Sequence, residues 1–324
     1  MKKPVVLASA IASLAALSLA VSLASPAHAA TTEIRPGTLD RGANGTVPHV
    51  DGRALVVGDQ HYTFPGRELQ YLGRSGDDYV LGVWKQGSPR SQKVVRLTPA
   101  DERTAVLRRV PVSEISLSQD GEQLIRPRYF FGKKQTRVLV WSSHDGSEVA
   151  SRTFRGYLSV LDADEDRMVL SGSMPDRTFW WNDQSGATER ISDRYGYAAD
   201  IRADRLAVLT GDPYQGGCSV LSTLADPGEA LWRSCDQAVT GFSPSGNRVT
   251  TVYLQSDGLG PSTIEVHRTG GKLLERYTTY YFGEVSWESG DTLLMLAHGK
   301  TRSAWVRCTG SDCERAGRLR DTDL

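Results

Sequence analysis

The chain has 324 residues, with 38 Lys and Arg against 38 Asp and Glu, and 39% of it is hydrophobic. Balanced charge leaves no electrostatic footprint for nucleic acid or for an anionic membrane surface. The length suits one large domain or two smaller ones and is enough to bury a full core.

The first element is an export signal. Lys2 and Lys3 precede an apolar run from Val5 to Leu23, and Ala27-His28-Ala29 supplies an A-x-A cleavage site. A run of that length also fits a membrane helix. The small-residue motif and the absence of a basic stop-transfer flank favour removal after Ala29. No Cys stands at the site for a lipid anchor and no Arg pair precedes the run, so the general export route is expected. Removal leaves 295 residues, two net negative charges and no further apolar segment long enough to span a bilayer. The expectation is a secreted, extracellular protein with one domain over residues 30–324.

Tight turns then recur after short apolar strands. They read Val50-Asp51-Gly52, Arg74-Ser75-Gly76, Gln119-Asp120-Gly121, Ala163-Asp164-Glu165, Arg202-Ala203-Asp204, Pro244-Ser245-Gly246 and Glu288-Ser289-Gly290. Their last positions are 24, 45, 44, 39, 42 and 44 residues apart, and all but the first gap match one four-stranded propeller blade. A β-branched or aliphatic strand follows each turn, as in Arg205-Leu206-Ala207-Val208-Leu209 and Thr292-Leu293-Leu294-Met295-Leu296. Such short runs bounded by Gly, Asp and Ser are buried strands. A second turn recurs between a strand and a charged strand, as in Leu139-Val140-Trp141 with Asp145-Gly146 and Glu148-Val149-Ala150. Each period therefore holds strands a to d, with d half exposed. One four-stranded sheet cannot hide both faces, whereas six or more packed radially can. The fold class is an all-β propeller; seven blades with a short first one are favoured over six. Ile34-Arg35-Pro36-Gly37 is expected to add a closing strand to the last blade.

Four cysteines in an exported chain read as disulfides. Three pairings are open on paper, and the repeat frame favours Cys218–Cys235 and Cys308–Cys313, each stapling one outer hairpin. Their spacing is not C-x-x-C and no His pair accompanies them, so no metal is expected.

The units Phe242-Ser243-Pro244-Ser245-Gly246 and Leu117-Ser118-Gln119-Asp120-Gly121 resemble the "F-S-P-D-G" turn of bacterial TolB-type and WD-repeat-like propellers. The resemblance covers residues 69–320 as six degenerate copies, and no copy has the Gly-His and Trp-Asp dipeptides of true WD repeats. It implies a fold whose members are mostly interaction platforms, with some enzymes among them; fold alone does not settle function.

Propellers bind ligands on the face carrying the b–c and d–a loops. Here those loops hold Arg128, Tyr129, Tyr195, Tyr214, Tyr280, Tyr281 and His298, residue types of protein-binding hot spots and sugar-stacking surfaces. The bland alternative is that ring residues such as Phe131, Tyr197 and Phe282 begin strands and pack between blades. Asp162, Asp164, Glu165 and Asp166 lack the Gly and distal Glu of a calcium loop and read as a solvated turn. None of His49, His61, His144, His267 and His298 lies in a zinc-protease motif. Gly241-Phe242-Ser243-Pro244-Ser245 fails as a nucleophile elbow, being a strand-to-strand turn with Pro in the fourth position. No catalytic residue and no cofactor is assigned. The expected function is a non-catalytic binding module for an envelope protein or an extracellular polymer. The alternative is an extracellular lyase or hydrolase with a site at the channel mouth.

Overall fold

A computed structural model describes residues 31–256 and 258–322; the expected signal and its cleavage site lie outside the described residues. The strands form seven sheets, one per blade, and the strands of each blade pair antiparallel. Blade 2 runs through Glu68–Ser75, Asp78–Lys85, Ser88–Leu97 and Arg103–Arg108, in the order a-b-c-d. Blades 3 to 6 repeat that order over residues 116–155, 157–192, 196–234 and 237–278. Blade 7 has Tyr281–Trp287, Thr292–His298, Arg302–Thr309 and Asp312–Arg315, with Arg320–Asp321 extending its outer side.

Burial explains the ring. Side chains alternate across a strand, and the b strands bury both sets. In blade 4, Met168 and Leu170 face the seam with blade 3, and Val169 faces the seam with blade 5. Seven apolar clusters among the described residues occupy the seven seams. The largest join blades 3 and 4 and blades 6 and 7; the smallest joins blade 7 to blade 1, with Leu294, Trp305 and Ala316 buried. The turn glycines have a steric reason. Gly121 has φ of 80°, and a Cβ there would collide with the Arg74 carbonyl of the neighbouring blade's turn.

Blade 1 is short, as the first gap implies, but its strands are b, c and d. His49–Asp51, Ala54–Val57 and Gln60–Thr63 form a three-stranded sheet. Asp51 pairs with Arg320, beside the b–c end of blade 7, while Thr46 bonds to Glu288 at the opposite, a–b end. The Asp51-Gly52 turn is therefore a b–c turn on the other face from the six turns it was grouped with. That half-period offset is why the first gap is 24 and not about 44. The missing strand is the innermost one.

The expected closing strand also differs. Thr31–Glu33 pairs in parallel with Arg276–Thr278, the outer strand of blade 6, and does not join blade 7. Ile34 then buries itself in the blade 6–7 seam. The following residues pass beside the b–c turn of blade 7, bridge at Arg41 to Arg315 on the outer strand of that blade, and reach blade 1. This strap is fixed by Arg307, which donates to the carbonyls of Ala43 and Asn44 and to Glu288 and Glu314. Among the described residues no strand is shared between blades 7 and 1; the ring closes by packing and by the strap. The Trp305 ring meets His49 at 4.7 Å between centroids, tilted by 57°, and donates Nε1–H to the Val50 carbonyl.

Both cysteine pairs are disulfides: Cys218–Cys235 across strands c and d of blade 5, and Cys308–Cys313 across those of blade 7.

Candidate functional site

The b–c and d–a loops form one face, and all seven sequence-predicted residues lie on it, spread over several blades. They divide into groups. Tyr280 and Tyr281 close the connection from blade 6 to blade 7. The Tyr281 ring stacks on His298 of the neighbouring strand, 4.1 Å between centroids and 7° from parallel, and Tyr280 meets Tyr281 edge-on at 5.9 Å. Strand pairing sets the first contact, since Tyr281 and His298 are direct cross-strand partners.

Arg128 and Tyr129 end strand b of blade 3. The Arg128 guanidinium lies 5.2 Å from the Phe130 ring centroid, and Tyr129 stacks on Phe131 at 6.0 Å. Phe131 begins a short 3₁₀ turn, Phe131–Lys133, and is 73% exposed. It does not begin a strand or pack between blades, unlike Phe282, which is buried as expected. Phe131 also meets Tyr157 of blade 4 at 5.5 Å, and its carbonyl accepts the Tyr157 hydroxyl. Tyr157 was missed by sequence reasoning: it opens an inner strand, and only the blade-to-blade step brings it beside Phe131.

Tyr195 and Tyr214 stay apart from both groups. Tyr195 is half-buried, and its carbonyl accepts from Leu209 N. Tyr214 is 70% exposed in the turn Pro213–Gln215, where Asp212 caps its backbone N–H.

A cleft of about 760 Å³ opens beside Tyr280. Its outer wall is strap residues 33–38; its inner wall is Ser262, Tyr280, Lys300 and Arg302. Arg35 is held by Glu33 at 2.7 Å and Arg302 by Asp321 at 2.8 Å. The cleft is thus polar at its rim and bounded by an exposed ring, an arrangement that can seat a chain by stacking and hydrogen bonding.

The opposite, a–b end carries Asp162, and the solvated-turn reading fails for it. Asp162 is partly buried; its Oδ2 accepts from Gln119 Nε2 and from Ile201 N, both at 2.6 Å. Burial, then repulsion from Asp200 and Asp164, pushes its carboxyl up to about 7 against the pull of the Ile201 N–H. Asp164 binds Arg202, and Asp166 accepts from Asn182. Among the described residues, no group of three or more His, Cys, Asp or Glu is placed to hold a metal ion.

No known family model matches the chain, and no curated protein matches it. Solved structures do. The Pyrococcus horikoshii acylaminoacyl peptidase is similar over 87% of this chain, with a TM-score of 0.60 and 13% identity. The match covers 52% of that protein, so this chain spans about half its length. An oligogalacturonate lyase in complex with manganese matches 79% of this chain and 82% of its own, with a TM-score of 0.56 and 14% identity. TolB from Acinetobacter baumannii matches 78% of this chain and 64% of its own, with a TM-score of 0.47 and 13% identity. At these identities the likeness is one of fold: the chain is a seven-bladed β-propeller.

Proposed function

We propose that the protein is an exported, non-catalytic binding module whose ligand face carries the b–c and d–a loops, and that it engages an envelope protein or an extracellular polymer. The observation carrying this reading is the Tyr129–Phe131–Tyr157 ring series, with Phe131 73% exposed on a turn anchored at both ends by strands. Exposed rings on a rigid frame bind with little ordering cost. Two disulfides fit an oxidising compartment, which agrees with the export signal expected at residues 1–29.

The test is capture by immobilised protein from envelope and culture fractions of the source organism, read by mass spectrometry and sugar analysis. A Phe131→Ala/Tyr280→Ala variant with an unchanged melting temperature is the comparison. Both side chains are exposed, so the fold should tolerate their loss. A ligand retained by the natural protein and reduced at least tenfold on the variant supports the reading. Equal retention by both removes this face from the proposal.

A further inference from the structure

The strands of blade 1 are three or four residues long, whereas strands b to d of blade 2 have eight, ten and six. Blade 1 therefore covers only part of the blade 2 face it packs on. The covered part is apolar: Leu81, Val95 and Leu97 pack with Leu55 and Tyr62. Beyond it the same face continues with Lys93 on strand c and Arg103 and Arg108 on strand d, and Arg67 joins them from the connection between the blades. These four cations line a pocket of about 300 Å³ whose apolar wall includes Phe64 and Val95, and no carboxylate lines it.

The arrangement is unfavourable as it stands. Lys93 and Arg108 are direct cross-strand partners, and like charges directly opposite repel. Arg103 is neutralised by Asp101 at 2.6 Å and lies 4.1 Å from the Phe64 ring centroid. Among the described residues no carboxylate pairs with Lys93, Arg67 or Arg108. Burial, and then the fields of Arg67, Arg108 and Arg103, hold the Lys93 ammonium below the usual lysine range. An outer strand needs charge to discourage edge pairing, but these four cations also line one shared pocket.

We propose that this pocket is an anion site that takes a phosphate group, either as the free ion or as a monoester on a larger molecule. Three uncompensated cations match a group carrying about two negative charges better than a single carboxylate, and the two unpaired arginine forks suit its oxygens. None of the rings of the proposed ligand face lines this pocket, and its test does not depend on that reading.

The test is calorimetric titration of the purified protein with inorganic phosphate and with glucose 6-phosphate, at low salt and pH 7.5, with acetate as the monovalent comparison. Saturable binding of phosphate is expected, at least tenfold weaker in Lys93→Met and in Arg108→Gln, and unchanged in Arg190→Gln on the outer strand of blade 4. Binding of both phosphate probes means that the pocket admits an ester, and binding of inorganic phosphate alone means the free ion. Acetate binding as tightly as phosphate, equal binding by all variants, or no saturable binding would each overturn the proposal. Lys93→Met relieves repulsion, so its unliganded melting temperature should not fall, which separates loss of the site from loss of the fold.

Discussion

Asp162 shows how one carboxylate records its position. Its raised folded-state value, about 7 against 3.8 when unfolded, means that the folded chain keeps a proton that the unfolded chain has released. Stability from this group therefore falls as pH rises from about 4 to 7 and stays flat above. Asp162→Asn keeps an acceptor for Gln119 and Ile201 but carries no charge. It should raise stability at pH 8 by on the order of 2 kcal/mol, after discounting the shift for partial exposure, and change little at pH 4. Thermal melts at the two pH values decide this; equal gains at both would refute it. The sequence showed Asp162 as one of four acids around a turn. What it did not show is the strand register slip between Val160 and Asp162, which re-aims a side chain without leaving a compositional trace. Phe131 is the converse: the residue is plain in the sequence, but whether it packs or protrudes is decided by a 3₁₀ turn too short for any periodic signal.

At the scale of elements, the repeat was readable because every blade solves the same burial problem. The six later turns, their Gly or Asp residues and the b strands fall where spacing placed them, and so do both outer hairpins with their cystines. The closed loops span 17 and 5 positions. On the loop-entropy model the first contributes about 3 kcal/mol and the second about 2. Cys218→Ala/Cys235→Ala should thus lower the denaturation midpoint more than Cys308→Ala/Cys313→Ala, in urea melts of the two variants; the reverse order would show that native-state packing outweighs loop length. Blade 1 was harder to read. Its turns look like those of the other blades, and period alone cannot say whether a three-stranded unit has lost its first or its last strand. Only the polarity of the sheet settles that, through partners far away in the chain: Arg320 for Asp51 and Glu288 for Thr46.

The whole molecule is a ring with one weak seam. Between blades 7 and 1 the apolar cluster is the smallest, and polar contacts carry more of the closure. Glu288 is central there. Burial would raise its carboxyl, but hydrogen bonds from Arg307 and Thr46 outweigh burial and bring it down to about 2. Because the folded value lies below the unfolded 4.5, the stabilisation is present above pH 4.5 and is lost as pH falls toward 2. Glu288→Gln should cost about 3 kcal/mol at neutral pH by leaving Arg307 undercompensated, and should flatten the acid limb of the stability profile. Melting curves from pH 2 to 7 test both, and an unchanged acid limb would place the closure elsewhere. The strap also sets an order of events. Ile34 and Thr279, joined by a hydrogen bond, are 245 positions apart. A ribosome delivers the strap well before its partner strand, so blades 2 to 5, each contiguous in sequence, can assemble while the strap has nothing to bind. The latest contacts to form are then those of highest contact order, and the ring is completed by a segment made before any of the blades it joins.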